Sequence, residues 1–260
     1  MKQRKKRKII YNAFFTLMLA IMIFSGFMIG KDWLLRKKER EKFQALKELI
    51  VVEDEKQIQS AEHGSGTENE TMDSGRDLLK LVELNCECMG WIYIPDTKVD
   101  YPVMHTPDEP QKYLRKNFYE EDSVAGVPFL DSRCVANSDN LIIYGHNMKD
   151  KTMFGSLKNY IDSAYGMEHR NMEFETASGC DRYVIFSVMM TDTSDGWYDF
   201  VSADTREEFE EYVKIAKDKS IYDFEMPLEY EKQLITLSTC YGLNSDKRLL
   251  VVACKVGEDG

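Results

Sequence analysis

Histidine and paired cysteine are scarce in this sequence, and that limits its chemistry. Of 260 residues, four are His and six are Cys. The close pair Cys86-x-Cys88 has no second pair at zinc-finger spacing, and its further donors are only His63, His105 and His169, so no metal site is read here. A basic body is lacking as well. Net charge is −11, and because residues 1–8 read MKQRKKRK, the remainder is more acidic than the total. An acidic body does not suit nucleic acid as a partner. Charge is absent altogether from residues 9–30, IIYNAFFTLMLAIMIFSGFMIG. No Ala-x-Ala-like exit site follows this run; Lys31, Asp32 and Trp33 come next, which argues against a cleaved signal peptide. Internal repeats are absent too.

What is present begins with that run. About twenty uncharged residues suffice for a helix across a ~30 Å hydrocarbon core. The basic block before it places residues 1–8 in the cytoplasm and the remainder outside. Residues 31–60 contain Lys, Glu, Arg and Leu without Gly or Pro, with Trp33, Leu34, Phe43, Leu46, Leu49 and Ile50 at loosely helical spacing, and read as a stalk helix. Residues 61–76, AEHGSGTENETMDSGR, read as a flexible linker, so that 31–76 is stalk and linker together. A globular domain is expected over 77–260. Outside the membrane disulfides are possible, but if Cys240 stays a free thiol the remaining five make no clean framework. Cys134, Cys180 and Cys254 read as small buried apolar residues.

Within 77–260 a short helix is expected from Asp77 to Leu84. Eight strand-length runs follow, at 91–94, 99–104, 127–130, 141–144, 172–174, 183–190, 234–237 and 249–253. They are rich in β-branched or aromatic residues and separated by turn chemistry, which favours a closed barrel or sandwich over βαβ units. One further helix stands out. Thr205-Arg-Glu-Glu208 fits a capping box, and Phe209, Tyr212, Val213 and Ala216 share a face. Lying before the strand that ends in Cys240, it is either the wall of a substrate groove or a packing helix.

Three residues on strand ends carry the chemistry. Cys240 closes the run Gln-Leu-Ile-Thr-Leu-Ser-Thr-Cys, Arg248 follows eight residues later, and His146 leaves another apolar run in Leu-Ile-Ile-Tyr-Gly-His-Asn-Met. Cys240 and Arg248 flank the short turn Tyr-Gly-Leu-Asn-Ser-Asp, so adjacent antiparallel strands can set them side by side. The set offers a nucleophile, a proton carrier and a fixed cation for a developing oxyanion. Papain-like proteases place Cys before His, the reverse of the order here, and the caspase pattern Gln-Ala-Cys-x-Gly is absent. A chymotrypsin-like cysteine protease needs Gly on both sides of the nucleophile, and Thr239-Cys240-Tyr241 has neither.

Taken together, Thr236-Leu-Ser-Thr-Cys240, Arg248 on the next strand and Tyr144-Gly-His146-Asn-Met-Lys-Asp-Lys-Thr-Met-Phe-Gly-Ser-Leu157 resemble the sortase transpeptidases, class B in particular. Gly90-Trp-Ile-Tyr-Ile94 with Val99-Asp-Tyr-Pro-Val103 is similar to the first strands of that class, and the helix near 205–217 to its inserted helix. The resemblance covers about residues 77–256. It implies a mainly β, eight-stranded sortase-like barrel with an N-terminal helix and a helix before the Cys-bearing strand. It also implies a membrane-tethered cysteine transpeptidase that needs no cofactor. Cys240 attacks the Thr carbonyl of a C-terminal sorting signal, Asn-Pro-x-Thr-like in this class, on a secreted protein. A peptidoglycan-precursor amine resolves the thioester. His146 serves as general acid and base, and Arg248 holds the carbonyl or oxyanion. Ser238, Leu114 and Tyr222 are the substrate-groove positions implied. A cysteine endopeptidase that hydrolyses the thioester and a non-catalytic membrane-anchored binding ectodomain are the alternatives.

Overall fold

The computed structural model of the chain describes residues 2–50, 76–224, 231–242 and 246–257. They form two units, one ending at Leu49 and the other beginning at Ile50. In the first, α1 (Lys2–Ile50) is one uninterrupted helix, so the uncharged run and the start of the charged stalk are continuous in backbone. Phe14, Phe15, Ile21, Met22, Phe24, Phe27 and Ile29 are all exposed on it. Among the described residues this is the one helix long and apolar enough to cross a membrane, with a mean hydropathy of 2.2 over its most apolar 18 residues. The end of the expected stalk (51–60) and the expected linker over 61–75 lie outside the described residues.

The second unit opens with α2 (Leu78–Leu84), capped by Asp77, whose side chain accepts from the Lys80 amide. All eight expected strands form: β1 (Cys88–Tyr93), β2 (Asp100–Met104), β3 (Phe129–Leu130), β4 (Asn140–Tyr144), β5 (Asn171–Thr176), β6 (Gly179–Asp192), β7 (Leu234–Cys240) and β8 (Lys247–Lys255). They close in the order β1-β2-β3-β4-β7-β8-β6-β5. Most neighbours are antiparallel, but β2 with β3 and β4 with β7 are parallel. A parallel pair needs a long crossover; that from β4 to β7 contains β5, β6 and two helices, α3 (Ser163–Glu168) and α4 (Arg206–Lys219).

The buried pattern explains why β4, β7 and β8 read as near-continuous apolar runs rather than alternating ones. Ile142, Leu237 and Val251 face no water, and neither do their neighbours Ile143, Thr236 and Val252, because both faces of these strands are covered. The 3-10 helix Phe154–Ile161 packs against β7 and β8, and α4 packs against β6. β6 is longer than its sequence suggests. Its first half, with polar Asp181 and Arg182, forms a hairpin with β5, and from Tyr183 to Asp192 it pairs with β8, across an irregularity between Ile185 and Ser187. Cys134 and Cys254 are buried as expected, whereas Cys180 is only half-buried, because it sits at the tip of that hairpin.

α4 is capped by the Thr205 hydroxyl, which accepts from the Glu208 amide at 3.2 Å. The return bond of the capping box is displaced by one residue: the Glu208 carboxylate accepts from the Asp204 amide at 2.8 Å. Phe209, Val213 and Ala216 are buried, and Tyr212 stacks on Phe200 with ring centroids 3.7 Å apart. These contacts make α4 a packing helix on β6, and it lends no residue to the cavity around Cys240.

A buried polar chain ties the parallel pair to the segment before α4. The Trp197 indole donates to the Thr236 hydroxyl at 3.1 Å, that hydroxyl donates to Asn140 Oδ1 at 2.8 Å, and Asn140 Nδ2 donates to the Phe200 carbonyl at 2.9 Å. Every link lies away from water, so losing one leaves partners unsatisfied. Thr236→Val is expected to lower stability by about 1–3 kcal/mol, read as a lower urea midpoint at unchanged slope. Thr236→Ser, which keeps the hydroxyl, should lose clearly less; equal losses would assign the effect to packing alone.

Candidate active site

The parallel register of β4 and β7 builds the site. Tyr144 pairs with Ser238, so both strands leave the barrel at the same rim. His146 lies two residues beyond Tyr144 and Cys240 two beyond Ser238, which brings the two to the same level. Three bonds extend the pairing past the last strand partners. The Gly145 amide donates to the Ser238 carbonyl at 3.1 Å, the Thr239 hydroxyl donates to the Gly145 carbonyl at 2.8 Å, and Asn147 Nδ2 donates to the Cys240 carbonyl at 2.6 Å. Gly145 is required by a close approach: a Cβ there would sit 2.5 Å from the ring of Phe154. The Phe154 amide in turn donates to the His146 carbonyl at 3.0 Å, turning the chain into the 3-10 helix Phe154–Ile161.

On the other side of β7, Cys240 stands directly opposite Arg248 in the antiparallel ladder with β8. Directly opposed residues share a face. The turn between them, at 243–245, lies outside the described residues. Arg248 Nη1 donates to the Lys247 carbonyl at 3.0 Å. Cys240, His146 and Arg248 line one cavity of 430 Å³. Leu114 and Ser238 line it as well, and the Ser238 hydroxyl is 2.9 Å from that of Tyr198. Tyr222 does not. It follows α4, packs on Phe224 and over Gly166, and donates its hydroxyl to the Tyr160 carbonyl at 2.8 Å.

His146 is largely enclosed, with Nε2 2.9 Å from the Leu114 carbonyl. A carbonyl only accepts, so this bond requires the proton on Nε2 and leaves Nδ1 as the nitrogen that gains or loses one. Burial holds the imidazole below its ordinary pKa of 6.5; the Leu114 carbonyl offsets part of this, and the Arg115 charge adds to it. Around it the cavity carries the Arg248 guanidinium, the Asp131 carboxylate and the Tyr144 and Tyr198 phenols. Asp131 is committed elsewhere. Arg133 grips it at 2.8 and 2.9 Å and Tyr144 donates to it at 2.8 Å. Burial works against its charge, but these bonds outweigh burial and hold it below the usual carboxylate range.

Sequence reasoning did not single out Tyr198, Asp131 or Thr193, which also line the cavity. Tyr198 arrives on the 3-10 turn Gly196–Asp199, whose backing by Trp197 and Thr236 has no local sequence signal. Among the other cysteines, burial pushes the thiols of Cys88 and Cys254 up to about 12 and those of Cys134 and Cys180 up to about 11, so they are poor thiolates at neutral pH.

Comparison with known proteins agrees with this fold. A model of the sortase domain matches residues 92–256. Sortase B of Listeria monocytogenes is 32% identical over 225 residues, covering 85% of this chain and 86% of that protein. The Staphylococcus aureus sortase B–substrate complex superposes with a TM-score of 0.63 at 27% identity, covering 70% of this chain and 85% of that one. Clostridium perfringens sortase B superposes at 0.64 with 26% identity, covering 70% of this chain and all of that one. A closed eight-stranded barrel of this order is thus the fold of the sortases, a family of cysteine transpeptidases, and the chain belongs to that family. Within the family it is of class B, as its relatives and structural neighbours are.

The His146 environment has a measurable consequence. In the unfolded chain the imidazole takes a proton near pH 6.5, while the folded ring does so only at lower pH. Between those values the unfolded state binds more protons, so stability falls as pH drops through this window and is unaffected above it. His146→Gln should flatten that acid-side loss in urea titrations. An NMR titration of His146 should give a midpoint below 6.5; a midpoint above it would contradict the description of the site.

Proposed function

We propose that this chain is a membrane-anchored class B sortase. It cleaves a C-terminal, Asn-Pro-x-Thr-like sorting signal of a secreted protein and transfers the protein to a peptidoglycan-precursor amine. Support comes from one observation above all: the β4–β7 register and the Cys240–Arg248 pair bring thiol, imidazole and guanidinium to one cavity. The Staphylococcus aureus relative is described in complex with its substrate, and the chain covers 85% of it.

In this reading the Cys240 thiolate attacks the Thr carbonyl carbon. The carbonyl oxygen becomes an oxyanion held by the Arg248 guanidinium. Collapse breaks the peptide C–N bond, and His146 protonates the departing amine at Nδ1. The thioester is then attacked by the incoming amine, His146 takes that amine's surplus proton, and the C–S bond breaks to return the thiolate. Ser238 and Leu114 line the groove that holds the signal. Tyr222, away from the cavity, is assigned no contact with it.

Full-length protein is incubated with a signal peptide and an amine, and the products are weighed by mass spectrometry. Cys240→Ala is expected to abolish both cleavage and the acyl-enzyme mass. His146→Ala should slow acylation by at least ~10²-fold, and Arg248→Lys should also be slow because an ammonium lacks the guanidinium fork. Full activity of Cys240→Ala sinks the reading. A free acid in place of the amine adduct makes the protein an endopeptidase instead.

For the anchor, we assign residues 1–8 to the cytoplasm, 9–30 to the span, 31–76 to stalk and linker, and 77–260 to a catalytic domain outside the cell. The basic block supports this orientation, and the exposed apolar residues of α1 support the span. Tethering concentrates enzyme, secreted substrate and lipid-linked acceptor at one face of the membrane. Protease added to intact protoplasts should remove 77–260 and leave a small membrane-bound fragment; a protected domain reverses the topology, and a fully soluble mature form makes 9–30 a cleaved signal.

A further inference from the structure

The carbonyl that engages His146 belongs to no strand. Leu114 ends a single 3-10 turn, Lys112–Leu114, within the connection from β2 to β3. Such a connection is ordinarily mobile, yet this turn is gripped from two sides. Below it, Tyr113 is wholly buried, and its hydroxyl donates to Glu87 Oε2 at 2.5 Å while accepting from Asn85 Nδ2 at 2.8 Å. Asn85 is saturated: Nδ2 also donates to the Phe118 carbonyl at 2.8 Å, and Oδ1 accepts from the Glu87 amide at 3.0 Å. Lys112 binds the same Glu87 carboxylate at 2.7 and 2.9 Å.

Above the turn, the Val127 amide donates to the Tyr113 carbonyl at 3.2 Å and the Ser123 amide to the Arg115 carbonyl at 2.9 Å. Gly126, at φ +59°, passes so close that a Cβ would stand 2.4 Å from the Tyr113 carbonyl oxygen and 2.9 Å from that of Leu114. The backbone on both sides of Leu114 is therefore fixed, and the side chain that fixes it from below is Tyr113.

We propose that Tyr113, clamped by Glu87 and Asn85, is a positioning residue for His146. By holding the Lys112–Leu114 turn it keeps the Leu114 carbonyl on Nε2, and so keeps Nδ1 as the proton-exchanging nitrogen. The chemistry of the clamp suits a fixed strut rather than a proton path. Burial acts against the Glu87 charge, but its bonds to Lys112 and Tyr113 outweigh burial and hold its carboxyl below the usual range. Burial, with Glu87 beside it, raises the Tyr113 phenol, so the shared proton stays on the phenol oxygen. The charged groups facing His146 itself are Arg115, Arg248 and Asp131, and none belongs to this clamp. The inference rests on His146 being the proton carrier, and its test separates the two claims.

The test uses full-length protein in detergent micelles, 15N-labelled at histidine. Long-range 1H–15N spectra report which ring nitrogen of His146 carries the proton, and a titration gives its midpoint. Wild type should show the Nε2–H form above the midpoint. Tyr113→Phe, which keeps the ring and its packing, should give a mixture of both forms and a lower midpoint, since the bond that favours the charged ring is weakened. Its acylation kcat should fall on the order of 10²-fold with KM unchanged. Glu87→Gln keeps an acceptor for the phenol and should retain the Nε2–H form and most of the activity. An unchanged tautomer and midpoint in Tyr113→Phe overturn the proposal, whatever happens to the rate. A changed tautomer with unchanged turnover leaves the positioning role standing and removes His146 as proton carrier.

Discussion

Parallel pairing of β4 with β7 is the constraint on which the rest of the molecule depends. In an antiparallel pair the end of one strand meets the start of the other, and residues two positions past each end would lie at opposite rims. The Tyr144–Ser238 pair instead puts both exits at one rim, and the loop bonds from Gly145, Thr239 and Asn147 carry that order two residues further. The antiparallel β7–β8 ladder then adds Arg248 opposite Cys240. Two pairings of different sense thus define where three side chains meet. The long crossover, the buried Asn140–Thr236–Trp197 chain and the covering helices keep those pairings dry.

The electrostatic character of the site follows from enclosure. A buried imidazole resists protonation, and a carbonyl facing Nε2 returns part of what burial removes. Asp131, a carboxylate in the cavity lining, is engaged by Arg133 and Tyr144. Arg248 therefore shares the cavity with a carboxylate whose lone pairs are already engaged by Arg133 and Tyr144.

The barrel was legible because its strands are runs of β-branched and aromatic residues between turn residues, and covering both faces of β4, β7 and β8 only strengthened that signal. Strand ends were less legible. β6 runs from Gly179 to Asp192 because hairpin pairing, not hydrophobicity, carries Cys180, Asp181 and Arg182. Cys240, His146 and Arg248 were found together because each lies within two residues of a strand end, so a one-dimensional pattern encodes their placement. Ser238 and Leu114 came from resemblance and line the cavity; Tyr222 came the same way and packs elsewhere. Tyr198 and the 112–114 turn were invisible for a common reason. Both are fixed by side chains distant in sequence, Thr236 and Glu87, through contacts that leave no periodicity behind.

The crossover between β4 and β7 also sets an order in time. Thr239 and Gly145, bonded in the finished rim, are 94 residues apart in sequence. Closing so long a loop costs entropy before any contact repays it. On a growing chain, β4 must wait unpaired on that side until β7 has been made, and β8 follows later still. His146 is synthesised early, yet it meets Cys240 and Arg248 only when the barrel closes. A nascent chain therefore carries the imidazole before the thiol and guanidinium exist, and the three come to share one cavity only once β7 has paired with both β4 and β8.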